Sequence, residues 1–273
     1  MVNIFFMTKD PQARIHRQEN WQDYYLFTLQ SPAIARQAHP GQFIMVRINS
    51  LCPYPLLRRP FSIHHREAEK IQIFFEVTGE GTSLLSQKRK GEVLDILGPL
   101  GRGFTIGARF KRKKVALVGG GRGIAPLYFL AHTLRSQEAR VSIFYGGKTN
   151  QDLPLKQKIE KNDFALLCAT DDGSLGFKGL VSDLFLQELQ KSRPHGIFAC
   201  GPEPMMEKIA RMAKVKDVPA EFSLESIMGC GIGACWGCVR RIKKNHNPSW
   251  LKACQDGPVF SRDEIIWHSQ END

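Results

Sequence analysis

The stretch MGCGIGACWGC, residues 228–238, sets three cysteines (Cys230, Cys235, Cys238) among Gly229, Gly231, Gly233 and Gly237. A segment so poor in large side chains cannot supply a core of its own. It is a loop that something else must organise. The spacing is Cys-x4-Cys-x2-Cys, with fifteen residues between Cys238 and Cys254. Tetrahedral zinc sites more usually pair two C-x2-4-C knuckles, and here the fourth cysteine stands alone. The x4, x2, distant-Cys arrangement is that of plant-type [2Fe-2S] sites. The glycines let the loop wrap a cluster closely and free its backbone N–H groups to donate to sulfur. A structural zinc module is the alternative from another class. Trp236, between two of these cysteines, is a candidate for shielding the group they hold or for touching a partner.

The remaining cysteines, Cys52, Cys168 and Cys200, are scattered, and seven is an odd total. No disulfide framework is implied, which places the chain in a reducing cytoplasm. The N-terminus lacks the pattern of a signal peptide, and no apolar run approaches the ~20 residues of a membrane span. The formal net charge of +11 gathers at 88–90, 111–114 and 240–244. These runs read as solvated loops, or as attraction for phosphate-bearing ligands or an acidic partner. No helix-turn-helix or zinc-finger pattern supports nucleic-acid binding.

Along the chain the hydrophobic period changes. Up to Gly107, short β-type runs (21–30, 41–48, 62–66, 70–77, 92–100) separated by Pro and Gly indicate an antiparallel barrel or sandwich. From there, strand patterns at 113–121, 140–147, 163–173 and 195–202 alternate with helical ones from Ile124, at 178–189 and at 203–214. That alternation indicates a doubly wound parallel sheet. Beyond about Glu221 it stops. The expected architecture is multi-domain β and α/β: a β-barrel over 1–107, an α/β domain over 108–220 and a small cysteine-rich domain over 221–273.

ALVGGGRGIAPL (116–127) places Gly119, Gly120, Gly121 and Gly123 between a strand and a helix, where backbone N–H groups suit a pyrophosphate. It is not a true G-x-G-x-x-G, since position 124 is Ile, and no acidic residue ends the second strand; Lys148 lies there instead. Taken alone, this turn equally fits tight strand–helix packing. In the barrel region Arg59, before Pro60, suits a phosphate contact or an aromatic stack, and Ser62, Gly79, Gly81 and Thr82 offer a hydroxyl and open backbone. His64 and His65, adjacent on a strand, are expected on opposite faces and are structural rather than joint ligands.

Taken together these residues resemble the ferredoxin–NADP reductase superfamily and, more narrowly, the electron-transfer subunits of class B dihydroorotate dehydrogenases. The resemblance covers nearly the whole chain in family order. RPFS (Arg59, Pro60, Phe61, Ser62) is similar to the flavin motif R-P-x-S and implies Arg59 on the FAD phosphates and Ser62 near the isoalloxazine. GEGT (79–82) and GPLGRGF (98–104) match the rest of the flavin domain. GGGRGIAPL matches the nicotinamide-side turn, and CGPEPMM (200–206) implies Cys200 beside the nicotinamide and flavin rings. MGCGIGACWGC with CQDGPVF (254–260) is the most specific part, implying Cys230, Cys235, Cys238 and Cys254 as cluster ligands. Two residues depart from the pattern: Arg122, where a small or apolar residue is common, and Glu80 in the flavin loop.

The resemblance implies FAD, a [2Fe-2S] cluster and NAD(H) as substrate. It also implies a separate FMN-bearing dihydroorotate dehydrogenase catalytic subunit as partner, in a heterotetramer, for pyrimidine biosynthesis. The runner-up is the NAD(P)H diaphorase subunit of another complex, such as a sulfhydrogenase or a ferredoxin–NADP transhydrogenase.

Overall fold

In a computed structural model, which describes residues 7–48, 54–244 and 247–267, the chain forms a closed barrel, a seven-stranded sheet and a two-stranded hairpin. Cys52 lies outside the described residues.

The barrel takes β1 (Thr8–Trp21), β2 (Tyr24–Gln30), β3 (Phe43–Arg47), β4 (Arg59–Glu67), β5 (Lys70–Glu76) and β6 (Val93–Leu100), in the order β1-β2-β5-β4-β3-β6. All its pairs are antiparallel. Every second residue of β6 is buried, as a strand with one wet face requires. Ile15, Phe27, Ile44, Ile63, Ile73 and Ile96 fill the interior. Two short helices cover it, α1 (Pro32–Gln37) and α2 (Glu80–Ser86).

The sheet combines β7 (Lys114–Gly120), β8 (Arg140–Gly147), β9 (Ala165–Thr170), β10 (Phe177–Lys178), β11 (Gly196–Cys200), β12 (Ala220–Ser223) and, from the C-terminal segment, β15 (Val259–Ser261). Its order is β10-β9-β8-β7-β11-β12-β15, parallel throughout except for β15 on the edge. Four helices accompany it: α3 (Ile124–Ser136), α4 (Lys156–Glu160), α5 (Val181–Lys191) and α6 (Glu203–Val215). Every residue of β11 is buried, because helices cover both faces of a central parallel strand. Between β12 and β15 lie the cysteine loop and the hairpin of β13 (Val239–Lys244) and β14 (Asn247–Lys252). Ile242, Phe260, Ile265 and Trp267 join the sheet's own core, so the C-terminal segment is packed onto the sheet by apolar burial as well as by β15.

Helix α3 also packs on the barrel. Here the expectation that His64 and His65 lie on opposite faces fails. The β4–β5 register shifts between Ile63 and His65, a bulge that re-aims the extra residue. Both rings consequently meet Tyr128 of α3, His64 stacked at 4.5 Å and His65 edge-on at 5.6 Å, and His65 also meets His132 at 4.5 Å. His64 Nδ1 lies 3.0 Å from the Ala125 carbonyl. Burial, then Lys158 and Arg66, lowers His65 to about 4; burial, then His65 and Arg135, lowers His132 to about 4. Both are therefore neutral when folded and take up protons more readily when unfolded. Stability is expected to be full above pH ~6.5, to fall as pH drops towards 4, and to level off below that. Allowing for solvent screening of the partly exposed rings, the pair should cost on the order of 2 kcal/mol at pH 5. Urea unfolding at pH 7 and pH 5 measures this, and the difference should shrink in His132→Asn.

Candidate functional site

Two cavities lie where the barrel meets the carboxyl edge of the parallel sheet. The larger, of about 820 Å³, is lined by Gly120, Gly121 and Arg122 at the end of β7, by Gly146 to Lys148 at the end of β8, and by Gly201 to Met206 after β11. Ligands of open α/β sheets bind at this edge because the strands end there and the helices begin. Gly119 and Gly123 do not line the cavity; they shape the turn. At Gly123 a Cβ would stand 2.5 Å from the Cys200 carbonyl carbon, so only glycine lets β11 pass this close.

The smaller cavity, of about 250 Å³, is lined by Pro60, Phe61 and Ser62 of β4, Phe74 and Phe75 of β5, Thr82, Ala125, Pro126 and Cys200. Arg59, Gly79 and Gly81 stand beside it. Gly81 lies against Arg59, where a Cβ would come 2.9 Å from Nε, and Arg59 Nη1 donates to the Leu57 carbonyl at 2.6 Å. The Thr82 hydroxyl accepts from the N–H groups of Thr78 and Gly79 at 3.0 and 3.2 Å and donates to the Gly79 carbonyl at 2.9 Å. It thus holds the loop and starts α2. Glu80 accepts from the Tyr54 hydroxyl. Burial, followed by the charge of Glu225, pushes the Cys200 thiol far above its ordinary range. Cys200 is accordingly a neutral, apolar floor to this cavity.

Sequence reading missed Ser223 to Ser226, at and just beyond the end of β12. Ser223, Leu224, Glu225, Ser226 and Met228 all line the smaller cavity. Ser226 Oγ is buried with no hydrogen-bond partner, an acceptor and donor available to a bound group. No local pattern marks these residues; the fold brings them in.

Met228 leads directly into the cysteine loop. That loop packs on the barrel: Cys238 and Cys254 are buried with Phe43, Met45 and Leu100, and Met228 adjoins the same cluster. Backbone N–H groups point at sulfur throughout. Ile232 and Cys235 donate to Cys230 Sγ, both at 3.4 Å, and Gly237 to Cys235 Sγ at 3.4 Å. Gly233 donates to Cys254 Sγ at 3.2 Å, and Cys254 to Cys238 Sγ at 3.4 Å. N–H donors of this kind stabilise thiolate sulfur and tune an iron–sulfur centre. Burial raises Cys230, but the N–H groups of Ile232 and Cys235 outweigh it and bring the thiol down to about 7. Burial and the neighbouring Cys238 push Cys254 up to about 12; a coordinated metal ion removes that proton. Among the described residues no three His, Cys, Asp or Glu side chains are grouped as round a single metal ion. Trp236 is exposed, with Lys252 Nζ 4.5 Å from its ring centroid. In the basic runs, Lys88 pairs with Glu92, Lys111 and Arg112 with Glu138, and Arg240 with Glu203 of α6.

Residues 117–211 match the family described as oxidoreductase NAD-binding domain, and 225–266 the iron-sulfur cluster binding domain of dihydroorotate dehydrogenase B. The structure of an NADH-dependent reduced ferredoxin-NADP oxidoreductase superimposes with a TM-score of 0.82 at 29% identity, over 96% of this chain and 92% of that one. A ferredoxin NADP+ reductase from Neisseria gonorrhoeae with bound FAD and NADP shares the fold, with a TM-score of 0.63 at 16% identity over 77% of this chain and 91% of that one. Barrel, parallel sheet and cysteine-rich C-terminal segment thus define an NAD(P)H-linked FAD and [2Fe-2S] oxidoreductase subunit of the ferredoxin–NADP reductase fold. Among curated relatives, the dihydroorotate dehydrogenase B (NAD(+)) electron transfer subunit of Desulforamulus reducens is 40% identical, covering 89% of this chain and 92% of its own. That of Geobacillus sp. strain WCH70 is 37% identical, covering 95% and 100%. The chain belongs to the family of electron transfer subunits of dihydroorotate dehydrogenase B. The cysteine loop is therefore an iron–sulfur site, and the zinc alternative falls.

Proposed function

We propose that this chain carries electrons from the oxidation of dihydroorotate, by an FMN-containing catalytic subunit in a heterotetramer, to NAD+ in the cytoplasm. The bound FAD and [2Fe-2S] cluster would supply the exchange between single electrons and hydride that side chains lack. The supporting observation is continuity. The dinucleotide-sized cavity shares a wall with the cavity bearing the flavin motif, and Met228, two residues before Cys230, lines the latter.

In this reading Arg59 and the backbone of Gly79 and Gly81 hold the FAD phosphates, with Thr82 fixing their loop. Pro60, Phe61, Ser62 and Ser226 border the flavin ring. Gly119, Gly120, Gly121 and Gly123 form the turn that takes the dinucleotide pyrophosphate, and Cys200 keeps the junction dry without offering a proton. Cys230, Cys235, Cys238 and Cys254 hold the cluster. The functional units are 1–107, 108–220 and 221–273, although the last shares its core with the sheet. Around the cysteine loop Ile227, Ile232 and Trp236 are exposed, an apolar surface suited to a partner. Among the described residues no helix is long and apolar enough to cross a membrane.

Co-expression with the gene for a dihydroorotate-oxidising flavoprotein tests the reading. The co-purified complex should reduce NAD+ on adding dihydroorotate, whereas neither chain alone should. A complex that never forms, or one that reduces NAD+ only from ferredoxin or hydrogen, would sink it in favour of the diaphorase alternative.

A further inference from the structure

The two cavities have four lining residues in common: Glu76, Arg122, Leu224 and Glu225. Three of them are joined by charge. Arg122 Nη1 lies 3.1 Å from Glu76 Oε2, and Nη2 lies 3.7 Å from Glu225 Oε2. The three come from different parts of the fold. Glu76 ends β5 of the barrel, Arg122 sits in the glycine turn after β7, and Glu225 follows β12 on the way to the cysteine loop. This bridge lies across the wall that a nicotinamide must pass, or press against, to reach a flavin in the smaller cavity.

The bridge is weak enough to open. The Arg122 side chain is 46% exposed, and its two partners are 31% and 55% exposed. Ion pairs so exposed hold their geometry loosely against water. A guanidinium facing a phosphate instead forms a charge-assisted, bidentate contact, which is stronger. Arg122 is also placed for that exchange, because Gly120 and Gly121 beside it line the larger cavity where the pyrophosphate belongs. Of the three other cations lining this cavity, Lys208 is engaged with Asp183 at 2.5 Å and Arg240 with Glu203 at 2.8 Å, while Lys148 stands at the end of β8, away from the shared wall.

We propose that Arg122 is a gating residue, which leaves Glu76 and Glu225 for the phosphates of an entering dinucleotide and so opens the wall between the two cavities. This rests on the larger cavity being the dinucleotide site. The two carboxylates are then competitors of the ligand for Arg122, and that gives the proposal a signature of sign. Removing the cation weakens dinucleotide binding; removing a competing carboxylate strengthens it. A merely structural ion pair has no such asymmetry, since loss of either partner breaks it alike.

The test is calorimetric titration of the FAD- and cluster-loaded protein with ADP-ribose, which carries the pyrophosphate but no nicotinamide. Arg122→Ala is expected to weaken ADP-ribose binding about tenfold, the worth of one charged hydrogen-bonded contact. Glu76→Gln is expected to tighten it about threefold, since neutralising one of two competitors recovers part of that. Glu225→Gln is a second carboxylate variant with the same expected sign. Equal affinity in all variants, or weakening in the carboxylate variants as well as in Arg122→Ala, overturns the gate and leaves the dinucleotide site standing. Failure of the unaltered protein to bind ADP-ribose overturns the site and the gate together.

Discussion

Cys254→Ser is expected to abolish the iron–sulfur absorbance and paramagnetic signal while leaving flavin bound. Cys254 is 2% exposed and comes from a different segment than the other three cysteines. Its sulfur accepts the Gly233 N–H at 3.2 Å, and its own N–H reaches Cys238 Sγ at 3.4 Å. The substitution therefore removes a ligand and also slackens the contact that closes the loop against the barrel. A serine hydroxyl is a harder, less acidic donor that serves iron poorly in place of thiolate. The flavin motif residues lie on β4 and α2, with β3 between β4 and this contact, so FAD content should be retained. Electron transfer to the partner should fall on the order of a hundredfold or more, beyond the 10–100-fold typical of losing an outer-shell group. Oxidation of NADH by ferricyanide through the flavin should change little. Full iron content in Cys254→Ser would remove this residue from the ligand set.

Gly123→Ala is expected to cost about 2–3 kcal/mol in stability and to weaken NADH binding at least tenfold, because the turn is overpacked. The reason is space and not backbone freedom. Gly123 has φ −60°, which any residue adopts, but a Cβ would stand 2.5 Å from the Cys200 carbonyl carbon and 2.7 Å from Gly201 N. Those atoms are backbone and cannot swing aside. The turn at the start of α3 and the end of β11 must separate, and Gly120 and Gly201, which line the larger cavity, move with them. Gly121 supplies the control. Its φ is +53° with nothing near a built Cβ, so in the unfolding comparison Gly121→Ala should show only the ~1–2 kcal/mol of left-handed backbone strain, while its place in the cavity lining leaves NADH binding open to a direct effect. Urea unfolding and NADH titration of both variants check the contrast. Gly123→Ala with native stability and affinity would show that the strands are free to spread here.

Some elements were legible and others were not, for physical reasons. β7, β8 and β11 bury both faces and so appear as continuous apolar runs. β1 closes the barrel through main-chain pairing with β2 and β6 while burying little more than Ala13 and Ile15. Such a strand leaves no hydrophobic period to read. Helix α2, within a glycine-bearing polar stretch, owes its start to the Thr82 hydroxyl and its anchorage to buried Leu85. The facing of His64 and His65 depended on a bulge, which is a property of the pairing with β5.

The cysteine spacing, the RPFS motif and the glycine turn are local, because each is a short segment proposed to fit one chemical group at fixed covalent spacing. Sequence alone therefore determined the cofactor chemistry and the order of the NAD-binding and iron–sulfur domains along the chain. Which residues stand between those sites was decided only by packing. Glu76, Arg122 and Glu225 are brought together from β5, the turn after β7 and the segment after β12. Ser226 and Met228 reach the flavin-side cavity because β12 and β15 clamp the segment between them to the sheet. A shared wall between two cavities is a long-range contact, set by how the barrel seats on α3, and such contacts leave no periodic trace in the residues that make them.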